Sequence, residues 1–279
     1  MKRTVLALCG ALFASPVLAA PCDPSPGKVC KGDVAATMDD VMAAAKGAEI
    51  VILGERHDNP IHHQIQADIV ADLAPGGLAF EMIKRASEDA ANEGRAAWDN
   101  EDWSNWDDYR QIIDAAPEAK IAGGGVARDM LRASVKLGAA IAWGDEGRRY
   151  RLLDQLPMDV TEAMIEEQRV AHCDGLPKHM LPGMVEAQQL RDAAFADAAL
   201  RLVEAGHGQT VLITGNGHAR TDRGSPLYLR RAAPDITVVS VGIVEADRLT
   251  DIPYDYVIYT EIHDRKDPCE AFLKSRQKQ

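Results

Sequence analysis

The sequence predicts an α/β fold in which a mostly parallel central sheet is flanked by helices. Short apolar runs at 49–53, 77–80 and 210–214 have the length of buried parallel strands, and each is followed by a glycine or a polar residue. Amphipathic helical segments separate these runs. Alternating strands and helices are typical of βαβ units, and no repeat or linker in the sequence indicates a second domain.

The first predicted βα unit begins with the apolar run 49–53, which ends at Gly54. Asn59 and Pro60 are residues preferred at the N-cap and in the first turn of a helix. Isoleucine or leucine then recurs at every fourth residue as far as Leu73, which places an apolar stripe on one helix face. The segment therefore predicts a strand, a tight turn and an amphipathic helix.

The remaining elements are predicted from the same signals. Helices are expected from 82 to about 94, across 37–46, 127–137, 161–171 and 182–205, and after a cap formed by Ser225 and Pro226. Further strands are expected at 120–122, 236–241 and 256–259. Three glycines follow the strand at 120–122, but they lack the spacing of dinucleotide-binding loops and are weak evidence for phosphate binding. Residues 37–279 are thus expected to form a single domain.

The N-terminal segment 1–20 predicts a cleavable signal peptide. A positive pair of residues precedes an apolar run at 5–13, and small residues follow, in a segment too short to span a membrane. Pro21 precedes Cys22, whereas a lipoprotein carries a small residue before its acceptor cysteine, so lipid anchoring is not expected. No other apolar stretch approaches twenty residues. We therefore expect an exported, periplasmic protein that is not integral to the membrane.

The mature chain would keep four cysteines, which are Cys22, Cys30, Cys173 and Cys269. An even number in an oxidising compartment predicts two disulfides with three alternative connectivities. A local bond between Cys22 and Cys30 would leave Cys173 to pair with Cys269. The spacing of the first pair does not fit a zinc knuckle. The proline- and glycine-containing segment 21–36 is expected to form an extended arm.

The charge balance argues against nucleic acid as a partner. Asp and Glu number 43 against 31 Lys and Arg, which gives a net charge of −12. Such a surface repels phosphate backbones and anionic lipid headgroups. We therefore expect a small-molecule ligand, and the sequence leaves a homodimer open.

Polar side chains stand where three of the predicted strands end. Glu55 and His57 follow the first strand, Glu81 follows the second, and His218 follows the strand at 210–214. Each histidine is the last residue of a Gly-x-x-His turn. The carboxyl ends of parallel strands share one sheet edge, which is where ligands bind in open α/β folds. The sequence therefore predicts one shared pocket.

Two kinds of chemistry are open to this pocket. His57, His218 and Glu81 are suitable ligands for a divalent metal ion. Alternatively, a histidine backed by a glutamate can act as a general base, with a catalytic set of Glu55, His57, Glu81 and His218. Arg56 or Arg220 is a candidate for neutralising an anionic ligand or a developing oxyanion.

Other polar residues are candidates for supporting roles. His62 and His63 lie in one helical turn and are not expected to face the core together, so one of them is a candidate for the pocket. Gln188 and Asp192 are four residues apart and share a helix face, which would allow them either to orient a histidine or to face solvent. Asn216, inside the second Gly-x-x-His turn, is a candidate of the same supporting kind.

Several segments resemble the ChaN-like haem-binding protein family, within the Tiki, TraB and erythromycin esterase superfamily. They are LGERHDNPIHHQIQADI, AFEM, W-x2-W-x2-YRQIIDAA, MVEAQQLRDAAFA and ITGNGHARTDRGSPLYL, in order between about residues 49 and 232. The resemblance implies an α/β core with a helical lid region and a bacterial envelope protein linked to haem or iron uptake. It implies haem as the cofactor and a tyrosine as iron ligand, for which Tyr109 is the candidate, with His62, His63 and Arg220 as further cofactor contacts.

The same superfamily carries paired Gly-x-x-His motifs and glutamates at proposed esterase or metalloprotease sites. By that pattern Glu55, His57, Glu81 and His218 match the shared constellation, with the first histidine as general base. The resemblance, together with the predicted export, implies a periplasmic haem-binding protein involved in haem or iron handling. The alternative is a metal-dependent or histidine-based hydrolase that uses the same pocket.

Overall fold

The structure is a computed structural model, and it describes residues 20–94, 103, 106–246, 253–267 and 269–270. Apart from Ala20, the predicted signal peptide lies outside these residues. The strands within them are β1 (Val29–Lys31), β2 (Val34–Ala36), β3 (Ile50–Glu55), β4 (Gly77–Lys84), β5 (Lys120–Gly125), β6 (Thr210–Gly215), β7 (Val238–Glu245) and β8 (Tyr256–Thr260).

The helices of the described chain flank this set of strands. They are α1 (Met38–Lys46), α2 (Pro60–Leu73), α3 (Glu88–Gly94), α4 (Asp107–Ala115), α5 (Arg128–Leu137), α6 (Ala139–Trp143), α7 (Met158–Ala171), α8 (Leu181–Glu204), α9 (Asn216–Ala219) and α10 (Ser225–Ala232). Among the described residues, none of these helices combines the length and the apolar character needed to cross a bilayer.

The strands form one sheet in the order β2-β1-β8-β7-β3-β6-β4-β5. The six strands from β8 to β5 are parallel, whereas β1 pairs antiparallel with β2 and with β8. Alternate residues of β3 point to opposite faces, so Ile50 and Ile52 enter one apolar cluster while Val51 and Leu53 enter the other. Helices cover both faces, which confirms the predicted α/β fold with a mostly parallel sheet.

Helix α2 begins as its sequence predicts. The Asn59 side chain accepts a hydrogen bond from the Ile61 N–H, and Pro60 is the first helical residue. Helix α10 differs from the prediction, because it begins at Ser225 with Gly224 as the N-cap. Ser225 therefore lies inside the first turn and does not cap the helix.

The glycines at 123–125 belong to β5 rather than to a ligand-binding loop. A Cβ on Gly123 would lie 2.4 Å from the carbonyl oxygen of Ile83, and a Cβ on Gly124 would lie 2.7 Å from the Phe195 ring. The absence of side chains thus allows β4 and α8 to approach β5 closely. This packing explains the glycine run without a phosphate ligand.

Two strands extend beyond their predicted limits. Strand β4 continues through Glu81 to Lys84, and β7 runs from Val238 to Glu245 instead of ending at 241. The added part of β7 pairs with β8, which supplies backbone partners that the local sequence does not reveal. Within the predicted arm 21–36, the short strands β1 and β2 form a hairpin that extends the sheet edge.

The four cysteines form two disulfides, Cys22–Cys30 and Cys173–Cys269. This is the connectivity in which the first pair is local, with a separation of 8 residues, and the second pair spans 96 residues. The long bond joins the end of α7 to the C-terminal segment. It therefore restrains a large loop of the unfolded chain.

Removing the long disulfide is expected to destabilise the protein more than removing the local one. The Cys173→Ser/Cys269→Ser variant should lose about 2–4 kcal/mol of the free energy of unfolding, because closing a long loop removes more entropy from the unfolded chain. Urea unfolding measures this loss, with Cys22→Ser/Cys30→Ser as the matched control. Equal losses in the two variants would contradict the expectation.

Candidate functional site

The strand order brings both Gly-x-x-His turns and Glu81 to the same sheet edge. Strand β6 lies between β3 and β4, so the turn after β6 is adjacent to both neighbouring strands. The Nε2 atoms of His57 and His218 each lie 3.7 Å from Oε1 of Glu81. The two Nε2 atoms are therefore separated by at most twice that distance. Residues far apart in sequence thus form one shared site.

Glu81 is fixed at the centre of this site by its other carboxylate oxygen. The Thr214 hydroxyl and the Gly215 N–H donate hydrogen bonds to Oε2, at 2.7 and 2.8 Å. Burial acts to raise the pKa of Glu81, but the charges of His218 and His57 and these hydrogen bonds outweigh it and lower the pKa. Glu81 therefore presents a negative charge to both imidazoles.

Glu55 is buried and forms a hydrogen bond with His57. Its Oε1 accepts hydrogen bonds from His57 Nδ1 at 2.8 Å and from the Tyr109 hydroxyl at 2.6 Å. Its Oε2 lies 3.1 Å from Nε2 of His63. Burial acts to raise the pKa of Glu55, but its interactions with His57 and His63 outweigh burial and lower the pKa to about 2. The carboxylate is thus charged and fully enclosed.

His57 lies between two carboxylates and is 36 % exposed. Burial acts to lower its pKa, but Glu81 and Glu55 outweigh that effect and raise the pKa to about 9. The imidazole therefore carries a positive charge at neutral pH when no ligand replaces its proton.

The raised pKa of His57 predicts a pH-dependent contribution to stability. Because protonation is favoured in the folded state, this contribution should be fully present below about pH 6.5 and lost as the pH rises through about 9. The difference in unfolding free energy between the wild type and His57→Gln, measured in urea across this range, should fall accordingly. A difference that stays constant from pH 6.5 to 9 would contradict the assigned contacts.

His218, like His57, forms a hydrogen bond with a buried carboxylate. Nδ1 of His218 donates a hydrogen bond to Oδ1 of Asp192 at 2.6 Å, and the Gln188 amide nitrogen lies 3.1 Å from Nε2. Burial acts to lower the pKa of His218, but Glu81 and Asp192 raise it above its usual range. Burial in turn raises the pKa of Asp192 to about 6, against the effect of His218. The structure therefore places Gln188 and Asp192 against the same imidazole.

Asn216 is anchored to the neighbouring part of the sheet rather than to His218. Its side-chain amide donates to the carbonyl of Ile243 in β7, and its own carbonyl accepts from the Tyr254 hydroxyl. It therefore fixes the second turn against the neighbouring strand.

The expectation that His62 and His63 would not both face the core is wrong, because both side chains are fully buried. The Arg56 N–H donates to Nδ1 of His62, whose Nε2 lies 2.9 Å from the Thr260 hydroxyl. Burial lowers the pKa of His62 to about 4, so it is neutral. The beginning of α2 is enclosed on both sides, which buries adjacent residues and leaves His63 beside Glu55.

Tyr109 has a different place from the one that the resemblance implies. Its side chain has no exposed surface, and its ring stacks on Trp106 with centroids 5.8 Å apart. Burial, the charge of Glu55 and the hydrogen bond to it raise the pKa of the hydroxyl far above its usual value. Iron ligation by tyrosine requires an accessible oxygen that can lose its proton. The geometry therefore disfavours Tyr109 as an iron ligand and makes it a group that positions Glu55.

The predicted divalent metal centre has no support in the described part of the chain. There, no group of three His, Cys, Asp or Glu side chains is arranged to hold a metal ion. One oxygen of Glu81 and the Nδ1 atoms of His57 and His218 are instead engaged in hydrogen bonds within the protein.

A cleft of about 650 Å³ opens beside the two turns. This volume lies in the range of about 300–1,000 Å³ that is typical of small-ligand pockets. Its wall includes His57, His218 and the predicted anion partner Arg220, whose guanidinium pairs with Asp222 at 2.7 Å. Helix α7 contributes Glu167 and neighbouring residues to the opposite side.

Glu245 is a residue of this edge that sequence reasoning missed. It lies at the end of β7, and its carboxylate accepts hydrogen bonds from Asn59 at 2.9 Å, Arg56 at 3.3 Å and Arg265. Burial acts to raise its pKa, but these partners lower the pKa to about 2. The signal was a glutamate at a strand end, as for Glu55, and it was hidden because β7 was predicted to end at 241.

One solved structure shares the fold of this chain, and two others are more distant. ChaN of Campylobacter jejuni, in a structure described as showing cofacial haem binding, is 20 % identical with a TM-score of 0.65, over 82 % of this chain and 95 % of that chain. The type III effector HopBA1 is 15 % identical with a TM-score of 0.46, over 81 % and 93 % of the two chains. A succinoglycan biosynthesis protein is 14 % identical with a TM-score of 0.45, over 81 % and 72 %.

No curated protein matches the chain significantly. The family model described as "Haem-binding uptake, Tiki superfamily, ChaN" matches residues 41–229, which include both Gly-x-x-His turns, Glu81 and Asp192. This match confirms the resemblance seen in the sequence segments. The chain therefore belongs to the ChaN family of haem-binding uptake proteins within the Tiki superfamily.

Proposed function

We propose that the protein binds haem in the cleft beside His57 and His218 and takes part in haem or iron handling in the periplasm. The observation that carries this proposal is the pairing of each imidazole with a buried carboxylate, His57 with Glu55 and His218 with Asp192. Histidines that bind iron or other metals commonly donate their second ring N–H to a carboxylate, which orients the ring and raises its basicity. Because the chain belongs to a haem-binding family, haem iron is the metal that we expect these histidines to serve.

The side chains of the cleft fit haem better than a bare metal ion. Haem brings its own porphyrin ligands to the iron, so the protein would need to hold the iron with few side chains of its own. His57 is the more exposed of the two imidazoles and would hold the iron through Nε2, while Glu55 fixes the ring at Nδ1. The Trp103 ring, which lines an adjoining cavity rather than the cleft, lies 5.1 Å from the His57 ring. The guanidinium groups in the wall of the cleft, those of Arg56, Arg220 and Arg223, are each paired with an acidic side chain of the protein.

A haemin titration tests the proposal. The purified protein should shift the Soret band of haemin with a saturable, defined stoichiometry, and sedimentation of the complex measures whether it is a monomer or a homodimer. The absence of any saturable shift would contradict the proposal.

The proposed periplasmic location is supported by the N-terminal sequence and by the two disulfides. Disulfides persist in oxidising compartments and are rare in the cytosol. Cell fractionation with mass spectrometry should find the protein in the periplasm with its N-terminus at Pro21. An intact N-terminus in the cytosol would contradict export.

A histidine-based hydrolase is the second candidate. The observation that favours it is the Glu55–His57 pair, with Nε2 of His57 directed toward Glu81 at the cleft, because a carboxylate-backed imidazole is a common acid–base group in catalysis. Activity on panels of esters and peptides that is lost in His57→Ala would support this function. Soret binding without any hydrolysis would favour haem handling.

A further inference from the structure

A second compartment of about 370 Å³ lies beyond His218. His218 lines both this compartment and the main cleft, so the two spaces meet at the shared site. Its wall is largely apolar, with contributions from Met82, Trp103, Val126, Leu131 and Phe195. The Phe195 ring meets the His218 ring edge to face, with centroids 4.7 Å apart. A flat apolar group would therefore find aromatic and aliphatic contacts here.

Two arginines give this compartment a positive charge. Lys84 and the Glu81 carboxylate line it, and so do two arginines, Arg128 from the start of α5 and Arg191 from α8. Neither forms a salt bridge with an acidic side chain within the described residues.

The arginines of the main cleft provide the contrast. Arg56 pairs with Glu245, Arg220 pairs with Asp222, and Arg223 pairs with Glu167. Their charge is therefore largely neutralised by the protein itself. The charge of Arg128 and Arg191 is left for a ligand, and guanidinium groups recognise carboxylates through paired, charge-assisted hydrogen bonds.

We propose that the compartment beyond His218 binds the anionic end of an amphipathic organic acid, whose flat apolar body lies against Trp103 and Phe195. Arg128 and Arg191 would hold the anionic group at the mouth of the compartment, where Arg128 is exposed. If the protein binds haem, a propionate is the group that would occupy this compartment. That last step rests on the proposed function, whereas the anion site itself does not.

A fluorescent anion tests the site without haem. The probe is 8-anilino-1-naphthalenesulfonate, with its uncharged relative N-phenyl-1-naphthylamine as the control ligand. The Arg128→Gln/Arg191→Gln variant should bind the sulfonate about tenfold more weakly than the wild type and the uncharged probe equally well. Arg132→Gln, on the same helix as Arg128 but outside the compartment lining, is the matched control and should bind both probes like the wild type.

The outcomes separate the anion site from the haem proposal. Equal sulfonate binding by the wild type and the double variant, with circular dichroism showing both to be folded, would overturn the anion site. The affinities for haemin and for haemin dimethyl ester, which lacks free carboxylates, then test whether the site binds a haem propionate. The double variant should lose about tenfold in affinity for haemin relative to the diester. If the double variant binds the sulfonate more weakly than the wild type, but the wild type does not bind haemin, the anion site would be supported and the haem proposal contradicted.

Discussion

His57→Ala is expected to weaken haemin binding by about a hundredfold. Mutating a residue that only orients a metal ligand lowers metal affinity by up to about a hundredfold, and His57 is the proposed ligand itself. The substitution removes the imidazole that faces the cleft between Glu55 and Glu81. It also removes one of the hydrogen-bond donors of the Glu55 carboxylate. The measurement is a Soret titration of both proteins at the same pH and salt concentration.

His207→Ala is the matched control for this expectation, because His207 lies in an exposed loop and does not line the cleft. It should bind haemin like the wild type. His218→Ala should fall between the two, since His218 is more enclosed and supports the shared wall of the two compartments. Unchanged binding in both His57→Ala and His218→Ala would place haem elsewhere on the molecule.

Glu55→Ala is expected to cost about 3–5 kcal/mol of the free energy of unfolding, as is typical when one partner of a buried charge pair is removed. Glu55 is buried at the end of β3 and accepts hydrogen bonds from His57 and Tyr109 while lying beside His63. Without it, the Tyr109 hydroxyl loses its acceptor in a site that water does not reach. Urea unfolding at pH 7 measures the loss.

Two further variants calibrate this loss. Tyr109→Phe removes one hydrogen bond and should cost about 1–2 kcal/mol. Glu204→Ala removes a surface ion pair with Arg149 and should cost less than about 1 kcal/mol. If Glu55→Ala proved no more destabilising than Glu204→Ala, the buried network around Glu55 would be wrongly assigned.

The placement of the site could be predicted from the sequence because it follows from strand geometry. Apolar runs that end at Gly54 and Gly215 identify parallel strands, and parallel strands bring the residues after them to one edge. The four-residue spacing of Gln188 and Asp192 likewise indicated a shared helix face, and the structure turns that face toward His218. These are local patterns with a fixed geometric consequence.

The environment of individual side chains could not be predicted in the same way. Tyr109 stands in a sequence of aromatic residues that suits a ligand surface, yet α4 packs against α2 and buries its hydroxyl on Glu55. The burial of both His62 and His63 and the role of Glu245 depend on contacts with distant strands. Such contacts arise from tertiary packing, which leaves no periodic signal in the local sequence.

The central claim is that the two Gly-x-x-His turns build a single ligand site. Titration of ¹⁵N-histidine-labelled protein with gallium(III) protoporphyrin IX, a diamagnetic analogue of haem, tests it most directly. The imidazole resonances of His57 and His218 should shift together and saturate at the same ligand ratio, while those of His207 stay unchanged. Shifts of only one of the two histidines, or of His207 alone, would contradict the shared site.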